Sequence, residues 1–277
     1  MTTYRARVPK GLSGSKSQAY VIASFDLLPR SNGAIPAEVK LREALAIVDE
    51  SVGQKNDLPK ALDRRVLVMD RRVIWTTPIK VNGTLVFWEL LDVVHLQAEL
   101  AAHDVPLRGA VAIGDVQMRP GFAVGRGLEL ANQLRDEVAV VPRVVVPPTV
   151  MVEAESNPLL RAPHHTPMDD LGYIKSLLRL DADGIWFVDY LAVHCREATN
   201  ARHYLEGHRR LIERRLDASV DLDGESRAWT WLWSYHNSVV DDLRNEGRIS
   251  DDAYQAVRIP AKSNLVYAFP PDAKIPI

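Results

Sequence analysis

Apolar positions recur along this chain at two periods, and their alternation lays out an ordered set of elements. Residues 19–28 (AYVIASFDLL) form a β-branched and apolar run that predicts a central strand. Residues 36–52 carry apolar positions at helical spacing behind a proline at the first position, which predicts a helix. A hairpin is expected next, with strands 65–69 and 73–77 around a turn at Asp70 and Arg71. Residues 85–103 (LVFWELLDVVHLQAELAAH) are the longest amphipathic stretch and predict a helix. A glycine-flanked strand at 107–116, a helix at 124–137 and an apolar strand at 139–146 complete the series. Strand, helix, hairpin, helix, strand, helix, strand is an α/β pattern, suited to helices covering one face of a sheet.

The rest of the chain reads differently. Residues 1–17 are polar and contain Gly, Ser and Lys, as expected of a short arm. Residues 148–170, rich in Pro, His, Asn and Glu, are expected to be a linker. From Leu171 to the end the pattern is mostly helical, with Trp229, Trp231, Trp233 and Tyr235 clustered in it. That spacing of two does not define one helical face.

Composition narrows the function classes. The 277 residues are 47% hydrophobic and 25% charged, an ordinary globular balance. A net charge of −2 leaves no electrostatic footprint for nucleic acid or an anionic membrane. Met1 to Lys10 lacks the apolar core of a signal peptide, and no apolar run approaches the roughly 18 residues of a membrane helix. The single cysteine, Cys195, excludes an intrachain disulfide, so a cytoplasmic location is expected.

Two carboxylates carry the candidate chemistry. Asp26 ends the first strand, and Asp70, 44 residues later, occupies the hairpin turn. Such a pair, brought together at a sheet edge, suits hard divalent cations that bridge phosphates. Other candidates are weaker. Asp181-Ala182-Asp183-Gly184 begins like a calcium loop, but Ala192 stands where the closing Glu belongs, so a turn is expected. His164-His165 lacks suitably spaced partners, and Gly125-Arg126-Gly127 lacks the third glycine of a dinucleotide fingerprint. His194, Cys195, His203 and His208 fall on helical stretches without an orienting partner.

The order of elements, the Asp-to-Asp interval, the strand Arg108 to Gly114 (RGAVAIG) and the helix Gly125 to Arg135 (GRGLELANQLR) together resemble the class III nucleotide cyclases. Leu107-Arg108-Gly109, Val141-Pro142-Arg143, Asp183 to Leu191 (DGIWFVDYL) and Trp231 to Asn237 (WLWSYHN) extend the likeness to the bacterial pyrimidine cyclases of the Pycsar antiphage system. The resemblance implies a ferredoxin-like palm with a βαββαβ core over residues 18–147 and a helical C-terminal extension over 171–277. It also implies two Mg²⁺ or Mn²⁺ ions per site on Asp26, Leu27 and Asp70. Nucleotide contacts would come from Leu27, Arg30, Val66, Phe122, Glu129, Gln133 and Arg143, in a homodimer whose active sites are shared between subunits. The implied reaction is cyclisation of UTP or CTP in antiphage signalling.

Departures from the family pattern keep rival readings open. Val66 and Phe122 stand where purine cyclases carry base-reading polar side chains, and neither can hydrogen-bond a base edge. Pro29 lacks an N–H where the family presents backbone donors to phosphate, although Arg30 follows. Glu129 and Gln133 replace the family's transition-state Asn and Arg, with Asn132 about 100° away around the helix. A non-catalytic, nucleotide-sensing or partner-binding homologue, or a phosphohydrolase or nucleotidyltransferase on the same palm, fits the aspartate pair as well.

Overall fold

A computed structural model describes residues 18–28, 36–52, 63–80, 84–119, 121–218 and 223–260. Its frame is a mixed, mostly antiparallel seven-stranded sheet in the order β2-β3-β1-β4-β7-β9-β8. β1 (Ala19–Leu27) lies between β3 (Arg72–Pro78) and β4 (Leu107–Asp115), antiparallel to both. β2 (Arg65–Met69) forms the hairpin with β3. β7 (Val144–Val145) pairs with β4 in parallel, and β9 (Trp186–Val188) and β8 (Leu178–Leu180) extend the sheet beyond it.

Alternation along β1 sorts its side chains between two faces. Val21, Ala23, Phe25 and Leu27 enter the main core, where Phe25 meets Trp75 edge-on with centroids 5.0 Å apart. Helices α1 (Ala37–Val52) and α2 (Leu85–Ala102) contribute to that core. The opposite face, with Ile22, Ile74 and Ala112, is covered by α3 (Arg126–Gln133) and by the small hairpin of β5 (Gln117–Arg119) and β6 (Phe122–Val124). α3 can come this close because glycines meet at the contact. A Cβ on Gly127 would lie 2.6 Å from Ile22 Cδ1 and 2.7 Å from the Gly114 Cα.

Several expected elements take a different form. The helix expected over 124–137 begins at Arg126 and relaxes into a π-helical turn at Leu134–Val138, while Val124 belongs to β6. Only Val144–Val145 of the strand expected over 139–146 pairs in the sheet. Residues 148–170, expected as a linker, contain α4 (Pro148–Ser156), a 3₁₀ turn at Pro158–Leu160 and the start of α5 (Pro167–Ser176). Prolines at first helical positions and the Thr166–Asp169 capping box explain why a Pro- and polar-rich stretch is helical. Val150, Ala154 and Leu160 anchor it in the core. The C-terminal part is not wholly helical, because it supplies β8 and β9 before α6 (Tyr190–Glu197), α7 (Ala201–Ala218), α8 (Asp223–Asn245) and α9 (Asp251–Val257). Among the described residues no helix is long and apolar enough to cross a membrane.

Candidate active site

The β2–β3 hairpin closes through Asp70, whose φ of 54° is in the left-handed region that aspartate tolerates better than most residues. This turn projects beside the end of β1. Asp26 and Asp70 line one cleft of about 510 Å³, together with Leu28, Arg71, Arg72 and Arg108. The Asp70 side chain is 81% exposed and lies 3.8 Å from the Arg71 guanidinium, whereas Asp26 is 19% exposed and enclosed by cations.

The enclosure follows from strand register. Asp26 stands opposite Arg72 on β3 and opposite Arg108 on β4, so the three side chains form a cross-strand row on one face. Arg108 Nη2 donates to Asp26 Oδ2 at 3.1 Å, and Arg72 Nε lies 3.5 Å from Oδ1. From beneath, the fully buried Arg135 places its Nε 3.5 Å from Oδ2. Arg135 is itself fixed by Ser24 Oγ at 2.5 Å, Asn132 Oδ1 at 2.7 Å and a two-pronged bond to Asp136. Among the described residues the Nε atoms of Arg72 and Arg108 are buried without a hydrogen-bond partner. The cleft thus offers two carboxylates and three arginines at its surface, a net charge of +1 that suits an anion.

The hard carboxylate oxygens of Asp26 and Asp70 are the kind of donor a divalent cation takes, and they share one cleft, so the residues fit such an ion once Asp26 is released by its guanidiniums. Among the described residues no cluster of three or more His, Cys, Asp or Glu side chains is arranged around a metal position.

The other expected residues are dispersed. Leu27 is buried, and its N–H donates to the Arg71 carbonyl at 2.8 Å, while the Leu28 N–H donates to the Pro106 carbonyl at 2.9 Å. Two of the backbone donors expected to cradle phosphate, those of Leu27 and Leu28, are therefore already spent on the neighbouring chain segments. Arg30 lies outside the described residues. Val66 lines a different, smaller cleft of about 240 Å³ with Met118 and Arg119, and Phe122, 52% exposed, pairs across from Arg119 at its border. Glu129 and Gln133 share the exposed side of α3, one turn apart, where Gln133 donates to Glu137 at 3.1 Å.

Arg143 is not in the cleft. It is buried with its guanidinium bound to Asp181 and, at 2.5 Å, to Asp183. The expected phosphate contact is replaced by a structural one: the Asp181–Gly184 turn encloses a guanidinium, and Trp231 Nε1 donates to Asp181 as well. His165 bonds Asp170 at 2.6 Å and lies against Tyr173. Cys195 is buried, and that burial pushes its thiol up to about 12, away from the thiolate.

Sequence reasoning missed the roles of Arg72, Arg135, Ser24 and Asn132. Arg72 had a legible signal, since a two-residue turn at Asp70 and Arg71 makes it the first residue of the return strand. The register that sets β3 and β4 against Asp26 is a tertiary fact without a local signature. No family model and no curated protein matches the chain.

Proposed function

We propose that this protein is a divalent-metal-dependent nucleotide cyclase that converts UTP or CTP to the 3′,5′-cyclic nucleotide and pyrophosphate. The observation that carries this reading is the cleft itself: a strand-end and a hairpin-turn carboxylate on one rim, with three arginines beside them. The β2-β3-β1-β4 order, antiparallel throughout, agrees with a ferredoxin-like palm whose aspartates stand at these two places.

Asp26 and Asp70 would hold Mg²⁺ or Mn²⁺, which supplies charge neutralisation at the triphosphate and acidifies the ribose 3′-hydroxyl. Arg71, Arg72 and Arg108 bind the β- and γ-phosphates and offset charge on the leaving pyrophosphate. The 3′-oxygen forms a bond to the α-phosphorus as the bond to the bridging oxygen breaks, and the hydroxyl proton passes to solvent. Apolar Val66 and Phe122 favour pyrimidines by withholding the polar contacts that purine readers use. The reading includes a two-fold homodimer, with the exposed Glu129–Gln133 side of α3 facing the cleft of the partner.

The three guanidiniums on Asp26 favour a second reading, a non-catalytic module that binds nucleotide through arginines alone. Incubation with each of the four NTPs and Mn²⁺, followed by mass spectrometry, separates the two. Cyclic UMP or cyclic CMP supports the cyclase; binding of an NTP without turnover supports the sensor. Formation of cyclic AMP or cyclic GMP alone would overturn the assignment of the base. Light scattering at micromolar concentration tests the assembly, and a 31 kDa monomer with and without nucleotide would exclude a shared site.

A further inference from the structure

We infer that Arg72 is a gate on the carboxylate of Asp26: it holds off a divalent cation until a polyphosphate takes its place as the guanidinium's partner. This rests on reading the cleft as a polyphosphate and metal site. Three observations point the same way. Asp26 is hemmed in by Arg72 and Arg108 in register on both neighbouring strands and by Arg135 beneath, so its oxygens are committed to cations already in the fold. Among the described residues the buried Nε atoms of Arg72 and Arg108 lack a hydrogen-bond partner, Arg72 Nε lying 3.5 Å from the Asp26 carboxylate, so the resting arrangement costs free energy that a rearrangement of Arg72 can recover. The N–H groups of Leu27 and Leu28 are occupied, so among the described residues lining the cleft the guanidiniums are the cationic donors that meet an entering phosphate.

Of the three cations Arg72 is the one free to move. Its side chain is 40% exposed, against 29% for Arg108 and none for Arg135, and its bond to Asp26 is a long 3.5 Å contact. Arg135 is anchored by Ser24, Asn132 and Asp136 and stays in place. A polyphosphate, with several oxygens of full or partial charge, outcompetes one carboxylate for a guanidinium fork. As Arg72 turns to the phosphate, Asp26 loses a competing cation and gains affinity for Mg²⁺ or Mn²⁺. The chain therefore binds anion first and metal second, and a bare metal ion finds a poor site.

The test uses the full chain and two probes that need no turnover. Calorimetry with inorganic tripolyphosphate in EDTA should show binding to the wild type that falls at least about tenfold in Arg72→Gln. Electron paramagnetic resonance titration with Mn²⁺ alone should show the reverse, with Arg72→Gln binding Mn²⁺ at least about tenfold more tightly than wild type. The tighter binding should vanish in Asp26→Asn/Arg72→Gln, and unchanged circular dichroism would certify the fold of each variant. Equal Mn²⁺ affinity in wild type and Arg72→Gln, or tripolyphosphate binding only when Mn²⁺ is present, would overturn the inference. Failure of the cyclase reading looks different: no cyclic product from any NTP while both shifts at Arg72 persist.

Discussion

The two aspartates differ physically, and substituting them should separate stability from function. Asp26 neutralises guanidiniums, one of them fully buried, so Asp26→Asn should cost about 1–3 kcal/mol and lower the melting temperature. Asp70 stands in solvent, and Asp70→Asn, which keeps a residue suited to positive φ, should change stability by less than about 0.5 kcal/mol. Under the proposed cyclase reading, both should abolish cyclic product. Thermal scans of the two variants check the contrast, and equal losses of stability would contradict the burial difference. A second residue-scale prediction concerns the chain Tyr190–His208–His236–Val257, buried between α6, α7, α8 and α9. His236 Nε2 lies 2.9 Å from the Val257 carbonyl, so that nitrogen carries the proton and Nδ1 accepts from His208 Nδ1–H at 3.0 Å. His208 Nε2 in turn accepts from the Tyr190 hydroxyl at 2.7 Å, and every group is satisfied with both rings neutral. Burial pulls His236 down to about 4, and it pulls His208 well below the usual imidazole range, with His236 beside it adding to the effect. Below pH 6.5 the unfolded chain takes up protons that the folded chain refuses, so stability is full above that value and declines toward pH 4. His236 alone should remove about 2 kcal/mol between pH 7 and pH 5. Urea midpoints at pH 7, 6 and 5 measure this, and a flat profile would contradict neutral burial of the pair.

At the scale of elements, local periodicity made the hairpin, α1, α2 and the first strand legible, because each has one dominant period and clear breakers. The region from residue 122 to 188 was less so. Its strands are two or three residues long, too short for any period, and two of its helices, α4 and α5, begin at prolines that read as breakers. Of the site, the Asp26–Asp70 pair was legible from position alone, whereas the arginine row was hidden in strand register. Arg143 misled for a related reason: its neighbours in sequence are apolar, and its two aspartates lie 38 and 40 residues away. The structure makes it the clasp between the β7 region and the β8–β9 turn. Arg143→Met would leave the Asp181 and Asp183 carboxylates, 13% and 7% exposed, without their cation, and should cost about 3–5 kcal/mol. Arg143→Lys should recover only part of this, since an ammonium cannot serve two carboxylates with a planar fork. Chemical denaturation of the three proteins provides the measurement; Lys matching Arg would refute the clasp geometry.

The whole molecule depends on elements far apart in sequence. The sheet runs from β1 to β9 without interruption, and a single core joins Val21 at one end of the chain to Ile259 near the other. α2 is the pivot of this arrangement. Its buried positions, among them Leu90, Val93, Val94 and Leu100, belong to the same core as Leu191, Leu205 and Leu211 of the C-terminal helices. Polar bonds fasten the same junction: the Tyr204 hydroxyl donates to the Ala98 carbonyl at 2.8 Å, and Arg214 pairs with Asp104 at 2.5 Å. A chain ending at residue 147 would strip α2 of that cover and leave β7 without β9. Each large aliphatic side chain so exposed forfeits about 1.5–3 kcal/mol, so a few of them exceed the whole stability of an ordinary domain. The full chain should therefore melt in one calorimetric transition, with calorimetric and van't Hoff enthalpies equal, and the 1–147 fragment should lack a cooperative transition. A fragment that melts cooperatively by itself would show instead that the sheet through β7 is an autonomous unit and that the C-terminal helices are an addition to it.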